Sequence, residues 1–367
     1  MKHTGLVVAL IAAALLVGGI SHAAQVEGFL YHDANQNSQS AYLQEFAGKD
    51  VPLRDVLVTL YNGAGDEEIL TDRYGAYSFT DLAPGAYFTA FDLPAYESTS
   101  GNRGRRTAEA IAEGHLNLVC LGDSIGVMMY PPELPYPERL GAHFEQLTDV
   151  TLHNIHVGGS TSWEWLPGDE KAYYENRLLP VLADADLVTI TINGNDFAPY
   201  AAGMSPPYNV WEIIQNFLEH PEYALQSLPR TIQLLEAIRQ ENTDCDIVMI
   251  LYPNFFNSTW MQDVVGDFLP LVVWFYEFYY SIERYQVADL DGILISDTLL
   301  AMDGFWMDDY LHDEVHPTEA GSQIYADEVF KTLGGVLLDE ETSVAEQMIG
   351  FYAPDYYAGN NVVLQAK

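Results

Sequence analysis

Leu116-Asn117-Leu118-Val119-Cys120-Leu121-Gly122-Asp123-Ser124 is the stretch on which the reading of this chain turns. An apolar run rich in Leu and Val has the character of a buried strand. Gly122 ends the run and permits a sharp turn. Ser124 then falls where the next helix would begin, at the carboxyl edge of a sheet, where open α/β folds place their sites. Backbone N–H groups and the helix dipole favour negative charge at that point. A hydroxyl there suits an acyl-transfer nucleophile whose substrate develops an oxyanion. The plainer reading of Gly-Asp-Ser is a helix N-cap serine, and the tripeptide alone does not separate the two.

From Leu116 onward, strand-like and helix-like stretches alternate. Strands are expected at 116–121, 150–156, 187–192, 246–252 and 292–296, and helices at 137–147, 170–183, 210–219, 222–241, 271–288 and 318–333. That alternation predicts an α/β domain, a parallel sheet with helices on both faces. The two cysteines, Cys120 and Cys245, fall at opposite ends of predicted parallel strands. They are too far apart for a disulfide and read as core thiols.

Three further stretches could join Ser124. Asn154-Ile155-His156-Val157-Gly158-Gly159-Ser160 runs from a strand into a glycine turn, where a backbone N–H can face a ligand unobstructed. Thr191-Ile192-Asn193-Gly194-Asn195-Asp196 ends another strand with an amide side chain able to donate. Asp313-Glu314-Val315-His316-Pro317-Thr318 precedes the last helix, and its Asp-x-x-His spacing lets the carboxylate fold back onto the imidazole and fix its tautomer. Each has a bland alternative as a loop glycine pair, a turn residue or a surface histidine. Four strand-end stretches in one order are harder to dismiss.

In these four blocks the sequence resembles the SGNH hydrolases, the GDSL lipase/esterase superfamily, over about 220 residues from 116 to 335. The resemblance implies a flavodoxin-like three-layer αβα domain and a secreted serine esterase or lipase with no catalytic cofactor. It implies Ser124 as nucleophile, His316 as general base and Asp313 as its orienting acid, with oxyanion donors on the Ser124 backbone, the Gly159 backbone and the Asn195 side chain. Ile125 stands where Leu is common. Asn193 replaces a glycine often found two residues before the oxyanion Asn, which bears on the local turn. Gly122 to Gly126 also fits Gly-x-Ser-x-Gly, the α/β-hydrolase elbow, but that fold needs several strands before its elbow. His153, His156, His312 and His316 do not form a zinc-ligand motif.

Residues 25–100 read as all-β, with short strands punctuated by Asn62-Gly63, Tyr74-Gly75 and Pro84-Gly85, a pattern that suggests a β-sandwich. The order of Gly28–Asn37, Val56–Leu60, Thr71–Phe79 and Leu82–Tyr87 resembles the SdrD B-like (Cna B-like) domain of bacterial surface proteins, a prealbumin-like sandwich. In that family an Asp-x-Asn-x-Asn loop often holds calcium, which here implies a structural ion at Asp33, Asn35 and Asn37, with Ser38 in place of the usual glycine. A polar turn without metal is the alternative. Residues 101–115 are expected to be a linker whose Arg103, Arg105 and Arg106 dock onto carboxylates, and 336–367 a tail of unassigned role.

The 367 residues are 49% apolar and 19% charged, enough for a packed core. Lys and Arg number 15 against 53 Asp and Glu, for a net charge of −38. Such a surface repels nucleic acid and anionic headgroups. Residues 1–23 have a weak basic start, an apolar core over 6–20 and small residues at a cleavage position, so they read as a secretory signal. The mature chain is then expected to be secreted, bacterial extracellular or periplasmic, or on the cell surface, with no transmembrane span. Its partner would be a small-molecule, lipid or glycan ester, a polysaccharide O-acetyl ester included. The alternative is a surface adhesion or spacer protein with an inert hydrolase-like domain. The aromatics crowding Phe255 to Tyr280 could line an acyl groove or form a lid; the plainer expectation is a helix packed on the sheet.

Overall fold

The computed structural model describes residues 24–32, 51–91, 97–98, 104–201, 210–220, 222–288, 290, 292–338 and 344–352. The signal segment 1–23, Arg103 and the expected calcium ligands Asp33, Asn35 and Asn37 lie outside the described residues. Seven strands come first: β1 (Ala24–His32), β2 (Val51–Pro52), β3 (Leu57–Asn62), β4 (Gly65–Leu70), β5 (Ala76–Leu82), β6 (Gly85–Phe91) and β7 (Glu97–Ser98). Five follow in the next region: β8 (His115–Gly122), β9 (Asp149–Asn154), β10 (Leu187–Thr191), β11 (Asp246–Leu251) and β12 (Ile293–Asp297). Two close the chain, β13 (Gly335–Leu338) and β14 (Val344–Tyr352).

Strands β8 to β12 pair in parallel in the order β12-β11-β10-β8-β9. Counted along the chain this is the doubly wound 2-1-3-4-5 order, with its switch point between β8 and β10. Alternation sorts the side chains of β8 into two layers. Leu116, Leu118 and Cys120 enter one core, while Val119 and Leu121 enter the other. Strand β10 is buried along its whole length, as helices on both faces require. Cys120 and Cys245 are free and buried.

Two expected helices are broken by proline. Over 170–183 the chain makes a wide π turn, Tyr174–Leu178, and then a short helix, Leu179–Leu182, because Pro180 has no N–H for the ladder. The stretch 222–241 splits into Glu222–Leu225 and Ser227–Glu241, with Pro229 in the first turn of the second helix. The aromatic segment is largely packing. Phe255, Tyr279 and Tyr280 lie in the core, while Trp274 and Phe278 stack on each other on the outside of helix Leu269–Ala288.

The remaining strands form two sheets, one mixed and one antiparallel. One has the order β2-β1-β14-β7 with β5 on β1; the other runs β13-β6-β3-β4. Val26, Leu30, Val58, Leu60 and Tyr77 pack between them together with Val336 and Leu338. The carboxyl-terminal stretch, unassigned from sequence, thus supplies one strand to each sheet: β14 parallel to β1, and β13 antiparallel to β6. Strand β6 faces two ways. Tyr87 enters the sandwich core, and Phe88 enters the hydrolase-side core against Phe144 and Phe330 at 6.3 and 6.2 Å.

Residues 101–115, expected as a linker, hold a helix over Arg105–Glu113. Its Arg106 meets Asp186 at 2.8 Å and also Glu109 and Glu113, the carboxylate docking that its place in so acidic a chain suggested. No helix among the described residues is long and apolar enough to cross a membrane.

Candidate active site

Ser124 follows β8 in a single 3-10 turn, Ser124–Gly126, at the switch point. Gly122 has φ +140, and a Cβ there would lie 1.8 Å from the Thr191 carbonyl oxygen, so only glycine lets β8 run this close to β10. Asp123 is buried beneath the turn. It caps Ile125 N–H at 3.1 Å and accepts the Tyr252 hydroxyl at 2.5 Å. Burial pushes its carboxyl up to about 6 against those hydrogen bonds and the nearby His316. The elbow of an α/β-hydrolase would follow several strands of its sheet, whereas β8 comes first among the five strands of this one.

Two of the residues singled out in the sequence, His316 and Asp313, join Ser124 in one hydrogen-bonded chain. His316 Nε2 lies 2.9 Å from Ser124 Oγ, and His316 Nδ1 lies 2.7 Å from Asp313 Oδ2. The carboxylate accepts a hydrogen bond from Nδ1–H, which keeps the proton on Nδ1 and leaves Nε2 free to accept from the serine hydroxyl. Asp313 Oδ1 accepts the backbone N–H of Val315 and His316 at 3.0 and 2.8 Å, so the carboxylate is folded onto its own loop. Burial raises the Asp313 carboxyl, but hydrogen bonds from Tyr130 and from those N–H groups outweigh it and hold the group at about 2.

On the other side, Gly158 packs against Ser124, 3.9 Å from its Cβ to a Cβ built on the glycine. Gly159 turns with φ +78. Ser160 then ties the blocks together. Its hydroxyl donates to the Gly122 carbonyl at 3.0 Å, and its own carbonyl accepts the Asn195 amide at 3.0 Å. Asn195 stands on the 3-10 segment Gly194–Ala201, directly after β10. Serine, imidazole and carboxylate form one hydrogen-bonded chain, with Gly158 beside the serine and the Asn195 amide tied to the same glycine turn through Ser160. That is the equipment for moving a proton off a hydroxyl and receiving a developing negative charge.

Sequence reasoning missed several neighbours. Tyr252 sits one residue beyond β11 and could have been found by the same strand-end rule that found Ser124. Tyr130, whose hydroxyl donates to Asp313 Oδ2 at 2.5 Å, lies in a loop without periodicity, and nothing in its sequence marks it. Glu133 of the same loop accepts from His312 Nε2 at 2.7 Å and from Glu319 N–H at 3.0 Å.

One space borders the serine and a second borders Asp313. Ile125, Val127, Tyr130, Leu134 and Pro317 enclose a cavity of about 20 Å³ beside Ser124 and His316. A single water needs roughly 10–15 Å³ by that measure, so the space suits a methyl-sized group. A wider cavity of about 310 Å³ opens beside Asp313, between Trp260, Leu311, His312 and Glu314. No cluster of three or more His, Cys, Asp or Glu able to hold a metal occurs among the described residues.

Residues 120–324 match the model of the GDSL-like Lipase/Acylhydrolase family. The comparison with curated proteins gave no match. Among solved structures, the chain is similar to the lipase Lip_vut3 from a goat rumen metagenome, at 21% identity over 60% of this chain and 98% of that one, TM-score 0.47. It is also similar to a variant of Axe2, an acetyl xylan esterase from Geobacillus stearothermophilus, at 16% identity over 61% and 97%, TM-score 0.41. A two-domain esterase active on acetylated mannans matches at 17% identity over 64% and 54%, TM-score 0.40. With more than half of its length matched by one family model, the chain belongs to the GDSL-like lipase/acylhydrolase family and is an SGNH-type carboxylic ester hydrolase.

Proposed function

We propose that this protein hydrolyses short-acyl carboxylic esters by a serine mechanism. Ser124 Oγ attacks the ester carbonyl while His316 Nε2 takes its proton, and Asp313 holds the imidazole in the required tautomer. The oxyanion is received by the backbone N–H of Ser124 and Gly159 and by the Asn195 side chain. His316 then returns the proton to the departing alcohol, and water releases the acyl-enzyme by the same steps. The observation that carries this reading is the continuous chain from Ser124 Oγ through His316 to Asp313, at 2.9 and 2.7 Å.

The methyl-sized cavity beside Ser124 supports a short acyl group. A lipid ester is the second reading, favoured by the exposed Met128, Met129 and Leu134 around the same serine. The amino-terminal signal pattern and the acidic surface support export, to the medium or the cell surface. The sandwich is proposed as an SdrD B-like accessory domain, with calcium at Asp33, Asn35 and Asn37 supported by their alternating oxygen donors.

The test uses p-nitrophenyl acetate, butyrate and octanoate, followed by labelling with a fluorophosphonate and mapping of the adduct. The expected result is an adduct on Ser124 and a fall in kcat/KM from acetate to octanoate. Each methylene held in a groove would instead contribute about 0.8 kcal/mol. A rise to octanoate would therefore turn the reading to lipid esters, and an adduct elsewhere would end the mechanism.

A further inference from the structure

The turn that presents Asn195 is built on a residue that should resist it. Asn193 has φ +93. A residue other than glycine stays in that region only where its surroundings over-determine it. Asn193 is wholly buried, and both ends of its amide are occupied. Its Oδ1 accepts the Thr231 hydroxyl at 2.9 Å, and its Nδ2 donates to Glu283 Oε1. Its backbone carbonyl accepts the Asp196 N–H at 3.1 Å and closes the turn over Gly194 and Asn195.

Thr231 and Glu283 come from separate helices, Ser227–Glu241 and Leu269–Ala288, so Asn193 is pinned from two directions. Glu283 is the unexpected partner. It is fully buried, and its Oε2 has no hydrogen-bond partner among the described residues. Burial pushes its carboxyl up to about 8, with Asp196 as the carboxylate that adds to the rise. Arg230 stands 3.7 Å from Asp196, and the hydroxyls of Tyr276, Tyr279 and Tyr280 also feel the Glu283 charge. A buried acid is costly, and an apolar side chain would fill the same space without that cost. What Glu283 adds over such a side chain is an acceptor for Asn193.

We propose that Glu283 and Thr231 are positioning residues for ester hydrolysis: acting on the Asn193 amide, they hold the left-handed turn that aims Asn195 at the oxyanion. This rests on the reading of Asn195 as an oxyanion donor. It also makes a statement about coupling. Asn193 needs the clamp, whereas a glycine at 193 adopts the same backbone unaided.

The full-length chain is assayed on p-nitrophenyl acetate as wild type, Glu283→Gln, Glu283→Leu, Asn193→Gly and the Asn193→Gly/Glu283→Leu pair, with thermal melting of each. Glu283→Leu is expected to lower kcat roughly tenfold with KM changed less than about twofold, because the donor acts only in the transition state. Glu283→Gln keeps the acceptor and should restore most of the loss. Measured against Asn193→Gly alone, the added Glu283→Leu should change kcat less than about twofold, the signature of coupled neighbours. Thr231→Val, alone and on Asn193→Gly, gives the same comparison if Glu283→Leu does not fold. An equal loss of kcat in both backgrounds, or no loss in the wild type, overturns the clamp. Asn195→Ala separates the two ideas. Unchanged turnover there removes the oxyanion reading, while lowered turnover without coupling between 193 and 283 removes the clamp alone.

Discussion

The two flanks of Ser124 are held by opposite means. The flank proposed to receive the oxyanion is internal: Asn195 is tied by Ser160 to Gly122, and Asn193 is anchored on the fully buried Glu283. The flank proposed to supply the base is external. Asp313 and His316 sit on a surface loop, Leu311 to Pro317, strapped down by Tyr130 and by the exposed Glu133–His312 pair. The difference follows from what each flank must do. Donors that stabilise a developing charge work best when fixed beforehand, at no reorganisation cost. A base that gives its proton to a leaving group and then serves water must stay open to solvent.

The comparison is broken most severely at its centre. Ser124→Ala should remove ester hydrolysis, a loss on the order of 10⁴-fold or more, while the melting temperature stays near wild type because the hydroxyl is not a core group. Asp313→Asn tests the base flank and should lower kcat by roughly 10³–10⁴, since the wrong imidazole tautomer would face the serine. Asn195→Ala tests the other flank and should lower kcat by about 10²–10³. Equal losses at 313 and 195, or a neutral Asn195→Ala, would mean that the flanks do not divide the work as drawn.

A smaller effect should mark the strap. Tyr130→Phe removes a solvent-exposed hydrogen bond to the Asp313 carboxylate and is expected to slow turnover by about tenfold or less. It also has an acid signature. The Asp313 carboxyl lies below its ordinary value, so its contribution to stability is present above that value and is lost as pH falls toward 2. The wild type should therefore hold an advantage in melting temperature over Tyr130→Phe at pH 5 that shrinks by pH 2. A constant gap would place the tyrosine's effect elsewhere.

Buried acids on the inner flank give the reverse slope. Glu283 in the folded chain lies near 8, above its unfolded value of 4.5, so the fold holds a proton that the unfolded chain releases between those pH values. Stability from this group is complete below about 4.5 and is lost as pH rises through 8. Melting of the wild type should fall from pH 5 to pH 8, and Glu283→Gln should flatten that fall. Parallel curves for the two proteins would show that the slope comes from elsewhere, such as the buried Asp123 or the net charge of −38.

The parts legible in the sequence were those governed by short local rules. Strand β8, the stop at Gly122 and the placing of Ser124 follow from an apolar run meeting a glycine, and the five strands of the central sheet were all expected within two residues of their observed ends. Asp313 and His316 were legible because three residues suffice to close that contact. The clamp was not. Asn193, Thr231 and Glu283 are up to 90 residues apart, and a glutamate in an aromatic helix looks like an exposed position until the helix is packed. Tyr130 was hidden for the same reason, 183 residues from Asp313. The breaks at Pro180 and Pro229 were misread because helical periodicity outlasted the hydrogen-bond ladder.

Strand β1 lies beside β14 through eight residue pairs, from Gln25 with Val344 to His32 with Phe351. Strand β6 waits likewise for β13, while the Gly104 N–H meets the Leu333 carbonyl at 2.9 Å where the chain leaves the sandwich and returns to it. In a polypeptide delivered amino end first, the first region to emerge is therefore the last to be finished. Both sheets need strands that lie after the hydrolase in the chain, β14 beside β1 and β13 beside β6. Cutting the chain after the hydrolase would therefore leave β1 and β6 each without one of its partner strands.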